Sequence, residues 1–178
     1  MDNEHAKGKE VQSLIYDWLR LVHPDGPLWG DADFDCFGNT PIEIKMIPAF
    51  DAVEFNIENG GWAQLLWNCF ANWRQLVQIA KQGYQMIGAA PQSTALDKLY
   101  ALCTHDEQEC EQARAQASQA SDDEASRVFA EFTRRSYGKR GFDWEALFFA
   151  DSGIHEKRLE WLAANEARVR KAVGALHS

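Results

Sequence analysis

At 178 residues the chain has the length of one folding domain, and its 46% hydrophobic content, with seven tryptophans and ten phenylalanines, is enough for a sizeable aromatic core. Eighteen basic residues against 27 acidic give a formal net charge of −9, which disfavours direct contact with nucleic acid or an anionic membrane and allows basic partners. There is no apolar signal segment and no apolar run long enough to span a membrane. The four cysteines (Cys36, Cys69, Cys103, Cys110) form no C-x-x-C, so the expectation is a reduced, cytoplasmic protein.

Residues 1–8 are expected to fray. Val11, Leu14, Ile15, Trp18, Leu19 and Val22 recur with helical period and predict a first helix, stopped by His23-Pro24-Asp25-Gly26-Pro27. Leu28 to Thr40 reads as a loop in which Asp31, Asp33 and Asp35 alternate. Pro41-Ile42-Glu43-Ile44-Lys45-Met46 alternates with period 2 and predicts a short extended piece with no partner strand. Pro48 then suits a helix start, and Phe50, Val53 and Ile57 supply that helix's apolar stripe. Asn59-Gly60 is a left-handed stop signal and Gly61 permits a tight turn. Trp62, Leu65, Leu66, Cys69 and Phe70 predict a helix beginning at once, so residues 59–61 form a helix corner.

Further on, Asn72-Trp73 opens a helix through Leu76, Val77, Ala80, Tyr84 and Ile87, ended by Gly88-Ala89-Ala90-Pro91. Ser93 or Thr94 can cap the next, which carries Ala95, Leu96, Leu99, Leu102 and Cys103. The Glu/Gln/Ala-rich stretch of residues 105–121 is either an exposed helix or a mobile linker. Ser121-Asp122-Asp123-Glu124 is a capping-box pattern ahead of Val128, Phe129 and Phe132. Phe142, Leu147 and Phe148 mark a short helix, and Ile154, Arg158, Leu162, Val169, Val173 and Leu176 a final one. The fold class predicted is all-α: an irregular single-domain bundle of about eight helices over residues 1–178.

Asn59-Gly60-Gly61-Trp62, followed by Gln64, Trp67-Asn68 and Gly88-Ala89, resembles the signature of a bacterial family of unknown function, the DNA mimic protein nineteen-like family. The likeness covers residues 45–90, with a weaker echo from Phe142 to Glu166. Trp62 stands where the family more often has Phe, and Cys69-Phe70 follows Asn68 where the family usually has Gly. The resemblance implies the fold and, through one branch, a protein that imitates DNA toward a basic partner. Read from the residues alone, a Gly-Gly corner between apolar helices is first a packing device. Asn59, Gln64 and Asn68 could alternatively form a polar patch.

Residue chemistry gives no catalytic motif. Cys103-x-His105 with Cys110 is the one Cys/His cluster, and it lacks the second close pair that a structural zinc site uses. No G-x-S-x-G and no Gly-rich phosphate loop occurs, so no metal, cofactor or catalytic residue is assigned. Acidity is the remaining feature. Residues 101–125 hold seven acids (Asp106, Glu107, Glu109, Glu111, Asp122, Asp123, Glu124) against Arg114, whereas residues 134–171 are net +3. Asp106 with Glu109, and Glu107 with Glu111, have the spacing that lines carboxylates along one helix face.

Three functions remain open. The first is a non-enzymatic acidic binding protein, monomer or homodimer. It would occupy the nucleic-acid-binding surface of a basic partner through those seven acids, with Asp31, Asp33 and Asp35 second. The second is an immunity- or antitoxin-like inhibitor of one cognate effector. The third is an enzyme or small-ligand binder with a pocket near Asn59, Gln64 and Asn68.

Overall fold

The computed structural model describes residues 2–23, 38–138, 143–150 and 153–176. Among them are eight helices and no strand: α1 (Asp2–Val22), α2 (Ile42–Asn68), α3 (Trp73–Met86), α4 (Ala90–Ala117), α5 (Asp122–Gly138), α6 (Asp143–Phe148), α7 (Ile154–Ala164) and α8 (Glu166–Leu176). The loop aspartates Asp31, Asp33 and Asp35 lie outside the described residues. α2 is the central element and touches α1, α3, α4, α5 and α8; α1 lies along α7 and α8, while α4 joins α3, α5 and α6. One apolar cluster takes residues from all eight helices, with Phe50, Trp73, Tyr84, Phe132, Trp144 and Phe148 among its largest members. Phe50 stacks on Tyr84 at 4.3 Å between ring centroids, and Phe148 meets Tyr84 edge-on at 6.0 Å. No helix described is long and apolar enough to cross a membrane.

Several boundaries differ from the sequence expectation, each for a physical reason. Residues 2–8 do not fray but belong to α1. Gly8 packs so closely on α7 that a Cβ there would sit 2.2 Å from the Leu159 carbonyl oxygen. Lys7 adds an ion pair to Glu166 at 2.8 Å. Residues 42–46 are helical rather than extended. Their alternation misled because Glu43, one of its two polar members, is buried in an ion pair with Arg168 of α8. A segment buried on nearly all sides has no helical stripe to read. Pro48 is therefore inside α2 rather than at its start, at the cost of one backbone donor.

α3 ends as expected. Gly88, at φ 74°, closes it, with Ala89 N–H donating to the Tyr84 carbonyl at 2.8 Å and Gly88 N–H to that of Gln85 at 3.2 Å. Pro91 does not terminate that helix but sits in the first turn of α4. Neither Ser93 nor Thr94 caps α4: Ser93 is buried, and Thr94 Oγ1 donates back to the Ala90 carbonyl at 3.0 Å. The Glu/Gln-rich stretch continues α4 to Ala117, which makes it a helix of 28 residues. At the head of α5, Ser121 N–H donates to Glu124 Oε2 at 3.2 Å, one half of the expected capping box. The single final helix is two, broken at Asn165, whose Nδ2 donates to the Trp161 carbonyl at 2.8 Å.

Gly8→Ala is expected to lower stability by about 1–3 kcal/mol, because α1 must move off the α7 backbone. Urea denaturation of the two proteins side by side checks this, and an unchanged midpoint would contradict the close approach.

Candidate functional site

The corner expected at residues 59–61 divides α2 into two helical arms, with non-helical backbone at Gly60 and Gly61. Gly60 has φ −169° and Gly61 has φ 69° with ψ −161°, a region open only to glycine. The left-handed position is thus Gly61 alone; Asn59 keeps a negative φ and donates its amide to the Phe55 carbonyl at 2.7 Å. A Cβ on Gly60 would lie 2.2 Å from Gln64 Oε1, so the glycine makes room for that side chain. Across the bend, Asn68 Nδ2 donates to Asn56 Oδ1 at 2.8 Å, and fully buried Asn56 donates to the Ala52 carbonyl at 2.8 Å. Trp62 is buried in the core. Asn68 is therefore a brace between the arms of α2. Asn59 and Asn68 each have a local structural task, and so does Gly88 as the α3 cap.

The acids of residues 101–125 do not all face outward. Asp106 is 2% exposed, points into the core side of α4 and lies 2.7 Å from His105 Nδ1, which removes it from any surface row. Glu107 is half-buried and clamped by both Nη groups of Arg74, with Trp73 Nε1 donating to it at 3.1 Å; the guanidinium holds its carboxyl below the usual carboxylate range. Glu109 is partly exposed, and Glu111, Asp122, Asp123 and Glu124 are exposed. Neither sequence pair, Asp106 with Glu109 or Glu107 with Glu111, presents two open carboxylates. What remains is a set at the far end of α4 and the head of α5, joined by the turn at 118–121. Arg114, the cation within that acidic stretch, is turned onto the Trp67 carbonyl and over the Phe70 ring at 5.2 Å.

Sequence reasoning missed the most concentrated polar cluster. Arg158 of α7 is 5% exposed; its Nη1 donates to Asp51 Oδ1 at 3.1 Å and its Nη2 to Glu54 Oε1 at 2.5 Å, both on α2. Tyr16 of α1 donates to Asp51 Oδ2 at 2.6 Å, and Tyr84 of α3 donates to Glu54 Oε1 at 2.9 Å. The guanidinium also lies over Phe50, 4.9 Å from the ring centroid. Burial raises the Asp51 pKa and outweighs the opposing pull of the Tyr16 hydroxyl and of Arg158. Burial likewise pushes the Tyr16 and Tyr84 phenols up, so both stay protonated donors. Two carboxylates, one cation and two phenols hold four helices together, and every side chain is committed to a neighbour.

Among the described residues no three His, Cys, Asp or Glu side chains are placed to share a metal ion. Cys69, Cys103 and Cys110 are buried free thiols, and burial pushes the Cys103 thiol well up.

Residues 39–165, 127 of the 178, match the model of the family described as DMP19-like protein, and the chain belongs to that family. No curated protein and no solved structure matches the chain.

Arg158→Met is expected to cost about 3–5 kcal/mol, since it strands two carboxylates; thermal and urea unfolding measure it. Asp51 gives a pH test. Its folded pKa is raised, so between the unfolded value of about 3.9 and the folded one the native state binds more protons. Stability from this group is therefore gained as pH falls through that window and lost as pH rises. In melting curves at a series of pH values, the wild type should gain on Asp51→Asn as the solution is acidified toward pH ~4. Parallel curves for the two proteins would contradict the assignment.

Proposed function

We propose that this member of the DMP19-like family is a binding protein whose open carboxylates occupy the basic, nucleic-acid-binding surface of a partner protein. The observation that carries the reading is the division of charge on the α4–α5 hairpin. Glu111, Asp122, Asp123 and Glu124 are exposed, while Arg114 and Arg74 on the same side of the sequence are spent on a backbone carbonyl and on Glu107. Exposed carboxylates that outnumber the cations around them attract a basic surface from a distance, and the attraction weakens with salt. Of the cations exposed on α5, Arg127 turns its Nε back onto the Asp123 carbonyl at 3.2 Å and is spent on a backbone carbonyl as Arg114 is, while Arg134 lies in the C-terminal half of the helix. Family membership makes a DNA-like surface the natural form of such a site, and the two long, rigid helices would hold the carboxylates in fixed register.

Affinity capture from host lysate tests the reading. The tagged protein should retain a basic DNA-binding protein that duplex DNA releases and that raising salt from about 0.1 M to about 0.5 M weakens. Replacing Glu111, Asp122 and Asp123 by their amides should reduce retention roughly tenfold or more with the melting temperature nearly unchanged. A partner that neither DNA nor the amide variant displaces would overturn the proposal, and is what an inhibitor of one cognate effector would give.

A further inference from the structure

Of the seven asparagines in the chain, Asn59 alone is followed by glycine. That pair carries a chemistry of its own. The backbone nitrogen of the residue after an asparagine can attack the side-chain amide carbon and close a five-membered ring. A side chain on the attacking residue obstructs the approach, and glycine has none.

The fold presents this pair to solvent. Asn59 is exposed, so water and hydroxide reach it, whereas Asn56 and Asn72 are buried and Asn68 is half-buried and bonded to Asn56. Asn59 is also the last residue of the first arm of α2. Inside a helix the hydrogen-bond ladder holds each peptide in line and keeps its nitrogen away from the preceding side chain. At Gly60 the backbone leaves helical values, with φ −169°, so the peptide that must rotate has regular helix on one side only. One bond opposes the reaction. Asn59 Nδ2 donates to the Phe55 carbonyl at 2.7 Å, and this bond must open before the side chain can swing toward Gly60. The end of a helical arm opens far more often than the whole molecule unfolds.

We propose that Asn59 is a site of spontaneous covalent modification, at which the folded protein converts asparagine into aspartate and isoaspartate. The Gly60 nitrogen gives its proton to hydroxide and bonds to Asn59 Cγ. Nδ2 takes a proton from solvent and leaves as ammonia, which closes a succinimide. Water then adds to one of the two ring carbonyls and breaks its bond to nitrogen. Attack at Cγ leaves aspartate, and attack at the main-chain carbonyl leaves isoaspartate. The aspartate sets a carboxylate near the Phe55 carbonyl in place of a donor, beside exposed Glu58, at a helix end that disfavours anions. The isoaspartate lengthens the main chain by one methylene at the joint between the arms. Both products weaken the corner that sets the angle of α2, whatever the acidic hairpin binds.

Incubating the purified chain for several weeks at body temperature and a series of mildly alkaline pH values tests the proposal. Peptide mapping by mass spectrometry, with enzymatic labelling of isoaspartate, reads each asparagine. Conversion should accumulate at residue 59, rise with pH, and run roughly tenfold or more ahead of the other six. Gly60→Ala keeps a φ open to alanine, displaces only the Gln64 side chain, and should slow conversion roughly tenfold or more. Asn59→Asp reproduces one product and should melt below the wild type. A residue 59 that stays asparagine, or converts no faster than the other six, overturns the proposal. So does a Gly60→Ala protein, helical by circular dichroism, that converts as fast as the wild type. An Asn59→Asp protein that melts with the wild type overturns the weakening of the corner.

Discussion

The guanidinium of Arg158 is the point on which the arrangement of helices turns. A cation that is 95% buried must be matched, and it is matched twice, by Asp51 and Glu54 one helical turn apart on α2. The carboxylates in turn need donors, and the phenols of Tyr16 and Tyr84 supply them from α1 and α3. Each partner satisfies a group that would otherwise be desolvated and alone, so the four helices fix one another's register. The layer of α1, α7 and α8 reaches α2 through polar links of this kind, with Glu43 and Arg168 as a second one. Apolar packing alone tolerates sliding; an ion pair with two bonded oxygens does not.

Inside that frame, α2 is two helical arms that meet at the Gly60-Gly61 corner. Gly61 provides a backbone conformation closed to other residues, Gly60 leaves space for Gln64, and the Asn68–Asn56 hydrogen bond fixes the angle between the arms. The glycines permit the bend and the asparagines select its geometry. The asparagines Asn56, Asn59 and Asn68 are bonded within the corner itself.

Much of this architecture could be read from local pattern. The stripes of α3 and of the second arm of α2, the Gly88 cap and the Ser121–Glu124 start of α5 are all set by residues within a turn of one another. The failures involve partners far apart in sequence. Glu43 looked solvent-facing because nothing near it announces Arg168. Asp106 looked exposed among the surface acids of α4 although the helix turns it inward. Gly8 gave no sign of the α7 backbone against it. Arg158 did leave one trace, a charge standing between Ile154 and Leu162 on the buried stripe of its helix, but its carboxylates lie more than 100 residues earlier. Of the acids singled out in the sequence, Asp122, Asp123 and Glu124 are exposed at the head of α5. The sequence could not tell that Arg74 engages Glu107, because that contact depends on how α3 packs on α4.

Three thiols are sealed in the core beside these elements. Cys69 ends α2, and Cys103 and Cys110 lie two turns apart on the inner side of α4, the helix that also carries the outward carboxylates. An enclosed thiol reacts with an alkylating reagent only while its surroundings are transiently open, and burial holds the Cys103 thiol protonated as well. The natural sequence thus contains its own chemical clock: the rate at which these sulfurs are alkylated measures how often the interior behind α4 breathes.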